Sequence, residues 1–499
     1  MRGLCENVNL LYGVRHLGFL RVSPGNQIAP SKLTFVRSSS TSLSTLLGTE
    51  PAKVNISTRW RELQGGNNWA GLLSPLDLDL RREILRYGDA VQVAYDAFPL
   101  ESKSKYPFAS PYKKSEVLND VRQPATGYEV TRYLYSNLRG LKTEIQEVNW
   151  IGYVAVAVDP EEIKRLGRRD IIVAWRGTRS SIEWQNDALF CQIPPTSING
   201  KPIPKGVEVS SGFWEAFADF GASKAVFGVK GSAGKQATQE VKRLMEKYAG
   251  EQMSITCVGH SLGGALATLC SYQIAEDEIH KTPSGIAPVT AFTYASPRVG
   301  NIAFRERLKT LGVKILRLKC NQDFVPCFPL GDDTDNNPIL DSVRQEVTEA
   351  AKTTTIVDML GYFVRKLNDA IIPDEYTHVG QTLAVDFTKS PYLKQRTYID
   401  LTSTKILSRY HNLQGYLHLV NGIVGNNDDL KAPFKPVVVR DLALINKGGD
   451  LLADPYCKNA PANWWNEAIG NAGLVQNKEG LWEYPFSFDN PKTPNPDYD

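Results

Sequence analysis

The stretch CVGHSLGGALA, residues 257–267, contains a serine between glycines at G-x-S-x-G spacing. A strand-like run, residues 252–256, precedes it, and residues 265–278 follow with apolar positions at helical spacing. In a strand, tight turn and helix, Ser261 would project from the turn beside the free N–H groups at the helix start. The pattern therefore predicts a nucleophile. The alternative is a serine that only caps the helix, with glycines present for the turn.

Apolar runs alternate with amphipathic segments along much of the chain. Runs typical of strands lie at 170–177, 289–300 and 313–319, and segments typical of helices lie at 77–98, 235–251 and 303–312. This alternation predicts an α/β fold with a mostly parallel central sheet flanked by helices. In such sheets the functional site lies beyond the carboxyl ends of the strands, which is where the Ser261 turn would lie.

The composition is globular, with 42% of the 499 residues hydrophobic and 22% charged. The formal net charge of +3 comes entirely from residues 1–50, which hold five basic and two acidic residues. The remainder is neutral and has no basic stripe, so we expect no nucleic-acid partner. No apolar run reaches the roughly 18 residues that a transmembrane helix needs, so we expect no membrane span.

The seven cysteines are scattered, without a C-x-x-C pair or a cysteine and histidine cluster at metal-ligand spacing. Their odd number favours reduced thiols and a non-secretory compartment. We therefore expect no metal site.

Residues 1–50 differ in character from the rest of the chain. Before Glu50 they contain one acidic residue, their basic residues are spread out, and residues 38–45 read SSSTSLST. A segment that contains arginine, is rich in serine and is poor in acids is typical of a transit peptide. We predict a disordered transit peptide and a chloroplast (plastid) localisation, with the mitochondrion or the cytosol as alternatives.

A serine hydroxyl needs a base to accept its proton. Three of the six histidines are unfavourable by position, because they lie in the transit segment, next to the serine, or in a polar helix end: His16, His260 and His280. We expect the side chain of His260 to point elsewhere from the turn. The candidates that remain are His378, His411 and His418.

An orienting acid should follow the serine and precede the histidine in chain order. Asp323 lies in a loop directly after the strand-like run 313–319, which suits an acid presented at the sheet edge. The residues alone leave open that Asp323 is an ordinary solvated or turn-forming aspartate.

Further motifs occur together in one order: WRGT (175–178), GHSLGGALA (259–267), TYASPRVGN (293–301), NQDFVP (321–326) and HNLQGYLHLVNG (411–422). In this order they resemble the class 3 lipases, and most of all the plant branch of acylhydrolases called class I phospholipases A1. Residues 59–98 resemble the N-terminal segment of that branch, and the similarity spans roughly residues 55–450. The resemblance implies an α/β-hydrolase fold of the class 3 lipase type and a Ser–Asp–His triad.

The resemblance assigns Ser261 as nucleophile, Asp323 as acid and His411 as base, because the family histidine opens an HNLxxY motif. His418 is the second-choice base. His378 matches a histidine that is typically structural in the family.

The oxyanion hole would use the backbone N–H of Leu262 and, by resemblance, Thr178. By the same resemblance, residues 179–195 would carry a lid, with Trp184, Leu189 and Phe190 as lid or interface candidates. The alternative is that these three side chains belong to the core.

The expected domains are a transit peptide at 1–50, an N-terminal helical segment at 51–110 packing on the core, an α/β-hydrolase lipase domain at 111–425 and a C-terminal extension at 426–499. The expected enzyme is a serine acyl-lipid hydrolase without cofactor or metal. It would release fatty acid from the sn-1 position of membrane phospholipids or galactolipids, acting peripherally at a membrane or lipid-droplet surface. The alternatives are a neutral tri- or diacylglycerol lipase and a catalytically silent lipase-like signalling protein.

Overall fold

The structure is a computed structural model. It describes residues 54–98, 109–121, 126–139, 146–178, 191–197, 200–218, 231–323, 325–329, 376–394, 410–423, 434–438, 440, 442–448, 451–453, 475–476 and 482–483. All of the elements described below lie in one unit, Asn55–Asp499.

The strands, in chain order, are β1 (Tyr128–Arg139), β2 (Gln146–Ala157), β3 (Arg169–Trp175), β4 (Gln192–Ile193), β5 (Val209–Ser210), β6 (Met253–His260), β7 (Lys281–Thr282), β8 (Gly285–Ile286), β9 (Val289–Tyr294), β10 (Gly300–Asn301), β11 (Lys314–Cys320), β12 (Tyr376–Thr377), β13 (Gln381–Val385), β14 (Val475–Gln476) and β15 (Trp482–Glu483). The α-helices are α1 (Trp60–Leu63), α2 (Leu78–Asp96), α3 (Val117–Asp120), α4 (Pro160–Leu166), α5 (Ser211–Ala218), α6 (Ala233–Lys247), α7 (Leu262–Glu276), α8 (Ile302–Thr310) and α9 (Leu413–Gly422). Short 3₁₀ turns cover Val325–Cys327, Phe387–Lys389 and Leu442–Gly448.

The central sheet has seven strands in the order β1-β2-β3-β6-β9-β11-β13. Strands β3, β6, β9, β11 and β13 pair in parallel, whereas β1 with β2 and β2 with β3 pair antiparallel. Strands β6 and β9 are buried along their whole length, as expected for strands covered on both faces. The predicted mostly parallel sheet is therefore confirmed.

Helices cover both faces of this sheet. On β6, Ile255 and Cys257 belong to the apolar core that also contains residues of α6 and α7. Between them, the hydroxyl of Thr256 points the other way and lies 3.3 Å from the Tyr87 hydroxyl of α2. Because side chains alternate between the faces of a strand, α2 covers the face opposite to α6 and α7.

Polar residues that cap the helix starts are visible in the sequence. The Asp77 carboxylate accepts the N–H groups of Asp79 and Leu80 at the start of α2, and the Asn412 side chain accepts the Gly415 N–H at the start of α9. Capping of this kind satisfies backbone donors that the helix leaves unpaired and fixes where the helix begins.

A buried charge cluster fastens α2 to the sheet at the start of β3. The carboxylate of Asp170 accepts hydrogen bonds from Tyr87 of α2 (3.0 Å), Tyr128 (2.8 Å), Ser254 (2.7 Å) and Thr256 (2.8 Å). Each hydrogen bond to a buried carboxylate offsets part of its desolvation. This cluster lies at the amino ends of the parallel strands, opposite to the Ser261 turn.

A smaller four-stranded sheet has the order β12-β10-β5-β4. Strand β10 follows β9 in the chain and pairs antiparallel with both β5 and β12. Two hairpins, β7–β8 and β14–β15, complete the described strands.

Candidate active site

Ser261 lies in a sharp turn between β6 and α7, with φ 60° and ψ −130°. Positive φ is uncommon for a residue with a side chain and costs on the order of 1–3 kcal/mol. Its N–H donates to the Tyr294 carbonyl of β9 (2.9 Å), which holds the turn against the neighbouring strand. Within the described residues, the Ser261 side chain makes no capping hydrogen bond to α7. The geometry is that of a presented side chain and not of a helix cap.

The two motif glycines are required by close backbone contacts. A Cβ at Gly259 would lie 1.9 Å from the Gly263 carbonyl oxygen, and a Cβ at Gly263 would lie 2.4 Å from the Trp175 carbonyl oxygen. No side chain can be accommodated at such distances without moving backbone. These glycines let the helix start pack directly on the ends of β6 and β3.

Asp323 lies just beyond the carboxyl end of β11 and is 1% exposed. Its Oδ1 accepts the Val325 N–H (3.0 Å). Its Oδ2 lies 2.8 Å from Nδ1 of His411 and accepts the Tyr416 hydroxyl, also at 2.8 Å. Both oxygens are therefore engaged, and the carboxylate has one fixed orientation toward His411.

Tyr416 belongs to the site, although sequence reasoning did not single it out. Its hydroxyl donates to Asp323 and accepts the Cys320 N–H (2.9 Å) at the end of β11. Burial, together with the nearby Asp323 charge, raises the pKa of Tyr416 well above its ordinary value, so the hydroxyl stays protonated. The tyrosine at the end of HNLQGY was the available signal, since it lies on α9 just after His411.

His411 immediately precedes Asn412, the cap of α9, so the helix start fixes its backbone. While Nδ1 faces Asp323, Nε2 is buried and has no hydrogen-bond partner among the described residues. The ring packs against the ring of His260, the neighbour of Ser261, with centroids 4.7 Å apart. The carboxyl ends of β6 and β11 thus bring Ser261, His411 and Asp323 to the same edge of the sheet.

His260 lies beside His411, and sequence reasoning had left it out of the site. Its Nδ1 is 2.8 Å from the Tyr95 hydroxyl of α2. Burial, and secondarily the nearby His411, lowers the pKa of His260 well below its ordinary value. No pattern in the sequence connects Tyr95 with His260, because the two residues are far apart in the chain.

Of the two predicted oxyanion residues, Leu262 directly follows Ser261, and Thr178 follows a glycine that approaches Ser261. Leu262 begins α7, where the first backbone N–H groups have no partner within the helix. Thr178 follows Gly177, and a Cβ at Gly177 would lie only 3.0 Å from Cβ of Ser261. The end of the β3 segment therefore passes directly beside the serine.

The remaining candidate histidines have other partners. Nε2 of His418 lies 2.6 Å from the Ser390 hydroxyl, and burial, followed by the Arg440 charge, lowers the pKa of His418 to about 3. His378 contacts the Arg317 guanidinium. Asp323 therefore meets His411 and not His418. Trp184, Leu189 and Phe190 lie outside the described residues.

In the part of the chain that the structure describes, no group of three or more His, Cys, Asp or Glu side chains could hold a metal ion. No helix there combines the length and the apolar character needed to cross a membrane.

Comparison with known proteins identifies close relatives. Residues 172–332 match the family model described as lipase (class 3). Phospholipase A1-Igamma1, chloroplastic, of Arabidopsis thaliana is 39% identical over 85% of this chain and 78% of its own length. Phospholipase A1-Igamma3, chloroplastic, of the same plant is 38% identical over 87% of this chain and 78% of its own length.

Solved structures share less with the chain. The lipase from Rhizopus microsporus var. chinensis is 21% identical and covers 50% of this chain and 70% of its own, with a TM-score of 0.32. The family match, together with the mostly parallel sheet, confirms the predicted α/β-hydrolase fold. The names of the plant relatives support the predicted chloroplast localisation.

Proposed function

Because the chain belongs to the class 3 lipase family and is a carboxylic ester hydrolase, we propose that it releases fatty acid from the sn-1 position of membrane phospholipids or galactolipids. Relatives named phospholipase A1 support the ester-hydrolysing activity on lipids. The observation that carries the proposal is the hydrogen-bonded series Tyr416–Asp323–His411, packed against the Ser261 turn.

In the proposed reaction, Ser261 Oγ attacks the ester carbonyl while Nε2 of His411 accepts the serine proton. Nδ1 of His411 remains on Asp323, whose charge stabilises the imidazolium. When the carbonyl re-forms, the bond to the lysolipid oxygen breaks and His411 returns its proton to that oxygen. Water, activated by His411, then hydrolyses the acyl-serine and frees the fatty acid.

The negative charge that develops on the carbonyl oxygen needs donors placed before the reaction starts. We assign the backbone N–H of Leu262 and the Thr178 residue to this role. The first turn of α7 adds the favourable end of the helix dipole. Loss of one such donor typically raises the barrier by about 2.7–4 kcal/mol.

The substrate is a membrane component, so the enzyme would act peripherally at a membrane or lipid-droplet surface. Trp184, Leu189 and Phe190 remain the candidates for contact with that surface. Neutral tri- or diacylglycerol and partner binding without catalysis are the competing functions, and the experiment below separates them.

The test is acyl release from liposomes by the full chain and by Ser261→Ala. Ser271→Ala is the matched control, since Ser271 is a buried serine of α7, the helix that follows Ser261, and its hydroxyl bonds the Ala267 carbonyl (2.9 Å). The panel contains phosphatidylcholine, mono- and digalactosyldiacylglycerol and triacylglycerol, with lyso-product regiochemistry read by mass spectrometry.

We expect 2-acyl lysolipids from the polar lipids with the full chain and with Ser271→Ala, and none with Ser261→Ala. A preference for triacylglycerol would contradict the proposed substrate and indicate a neutral lipase. If the protein hydrolyses no lipid and a fluorophosphonate probe does not label Ser261, the result would favour a catalytically silent lipase-like signalling protein.

A further inference from the structure

The hydroxyl of Tyr95, on α2, lies where parts of the candidate site meet. It accepts the Gly177 N–H at 2.9 Å and lies 2.8 Å from Nδ1 of His260. Gly177 has no room for a side chain, because a Cβ there would lie 2.1 Å from the Tyr95 hydroxyl. One hydroxyl therefore links the end of the β3 segment, which leads to Thr178, with the residue before Ser261.

The ring of His260 connects Tyr95 with His411, the proposed base. Its centroid lies 4.7 Å from that of His411, with the ring planes 35° apart. The rings of Tyr95 (5.8 Å, 65°) and Tyr416 (6.4 Å, 77°) approach His260 edge-on. Aromatic contacts of these geometries are favourable and fix ring orientation. His260 is 4% exposed, so its ring has little freedom to rotate away.

The charge state of His260 suits contact with a base that becomes charged. Burial, followed by the nearby His411, lowers the pKa of His260 well below its ordinary value of 6.5. His260 therefore remains neutral when His411 takes up the serine proton, and no second imidazolium faces the first. A neutral ring can support His411 in both protonation states.

We propose that Tyr95 and His260 are positioning residues: they hold the His411 ring and the Gly177–Thr178 backbone in the geometry that Ser261 requires. Neither touches the reacting atoms in this assignment. The proposal rests on the function of Ser261, His411 and Asp323 proposed above. Misplacement of reacting groups by about 1 Å can cost on the order of 100-fold in rate, so loss of such support should appear in kcat.

Tyr95→Phe removes only the hydroxyl and keeps the ring. Its matched control is Tyr153→Phe, because the Tyr153 hydroxyl also bonds α2, donating to the Ala90 carbonyl at 2.8 Å. Both full-length variants are assayed on a soluble p-nitrophenyl ester, with competent sites counted by a fluorophosphonate probe. We expect kcat about tenfold lower in Tyr95→Phe with KM within about twofold, and kcat within about twofold of wild type in Tyr153→Phe.

A double-mutant cycle tests whether Tyr95 acts through His260. His260→Phe keeps a ring against His411 but removes the nitrogen that faces Tyr95. We expect the double variant to be no slower than the slower single variant, because both changes break one linkage. If His260→Phe does not fold, the comparison of Tyr95→Phe with Tyr153→Phe decides alone.

Equal kcat losses in Tyr95→Phe and Tyr153→Phe, a loss confined to KM, or additive effects in the cycle would overturn the positioning role. Ser261→Ala, run beside them, separates the two proposals. Retained hydrolysis in Ser261→Ala would refute the proposed function itself. An inactive Ser261→Ala together with a fully active Tyr95→Phe would refute only the role of Tyr95.

Discussion

At the scale of single residues, two tyrosine hydroxyls each join separate parts of the candidate site. Tyr416 joins Asp323 to the Cys320 N–H, and Tyr95 joins Gly177 to His260. A hydroxyl can donate one hydrogen bond and accept others, so it can join a backbone group to a side chain. Removal of such a hydroxyl leaves its donor or acceptor partner buried and unpaired.

Tyr416→Phe should therefore affect both activity and stability. The Asp323 carboxylate loses one of its donors, and the Cys320 N–H loses its acceptor. We expect kcat to fall about tenfold and the free energy of unfolding to fall by about 1–3 kcal/mol. Ester hydrolysis and urea unfolding measure the two effects.

Tyr133→Phe is the control for this change. The Tyr133 hydroxyl donates to the Tyr112 carbonyl (2.9 Å), and Tyr133 lies on β1, the edge strand of the central sheet. It should lower stability without lowering kcat. A Tyr416→Phe variant that keeps the wild-type kcat would show that Asp323 needs no support from this hydroxyl.

At the scale of elements, α2 contacts both the candidate site and α9. Tyr95, near its carboxyl end, reaches His260, while Gln92 accepts a hydrogen bond from Gln414 of α9 (2.9 Å). Asp89 forms a two-point ion pair with Arg440 (2.7 and 2.8 Å). The helix that follows His411 is therefore aligned by a helix more than 300 residues earlier in the chain.

Arg81 of α2 caps the far end of α9. Its guanidinium donates to the carbonyls of Val420 (3.0 Å), Asn421 (2.9 Å) and Ile423 (2.5 Å) at the end of α9, where carbonyls lack partners within the helix. Arg81→Met should lower the free energy of unfolding by about 2–4 kcal/mol, because charged hydrogen bonds contribute about 1.5–3 kcal/mol each and part of this is recovered by water. Thermal unfolding measures the loss.

Arg82→Met is the matched control for Arg81→Met. Arg82 is adjacent, and its side chain is 32% exposed in an ion pair with Asp79. Exposed pairs contribute little, so this change should cost less than about 1 kcal/mol. Equal losses in the two variants would contradict the capping role of Arg81.

The elements best predicted from the sequence are those whose hydrophobic pattern or turn motif lies within one short segment. The apolar runs became β3, β9 and β11, the G-x-S-x-G context became β6 and α7, and the segment 77–98 became α2. The long antiparallel strands β1 and β2 escaped prediction, as did the short β10 and β12, because their pairing depends on distant neighbours.

The residues of the candidate site also divide into those that a local pattern predicts and those that it does not. Ser261 and its glycines follow from local turn geometry, whereas Asp323 and His411 needed the family resemblance. The contributions of Tyr95, His260 and Tyr416 come from contacts between distant segments, which no local pattern encodes. Residue periodicity reports which face of an element is buried but not which side chain lies opposite.

At the scale of the whole molecule, the Asp170 cluster makes stability depend on pH. Burial alone would raise the pKa of Asp170, but the charges of Arg168 and Arg86 and the hydrogen bonds from Ser254 and Tyr128 lower it below its ordinary value of 3.8. A carboxylate with a lowered folded-state pKa stabilises the fold at pH values above its unfolded pKa. That contribution is lost as the pH falls below 3.8 toward the lowered value.

We therefore expect the urea midpoint to fall steeply below about pH 4. Asp170→Asn should be less stable at neutral pH by about 3–5 kcal/mol, because Arg168 and Arg86 lose a buried partner. Its midpoint should also vary less with pH in the acid range than that of the wild type. Parallel acid slopes in the two proteins would exclude Asp170 as the titrating group.

The ion pair of Asp89 with Arg440 joins residues 351 positions apart. A ribosome synthesises these residues in order, so α2 emerges long before Arg440, which bonds both Asp89 of α2 and Gln414 of α9. Before residues 411–440 are synthesised, the growing polypeptide has its serine turn but neither His411 nor Arg440. Under the proposed mechanism, a nascent polypeptide that stops short of His411 has the nucleophile without its base, so ester hydrolysis during translation has to wait for residues that follow the central sheet.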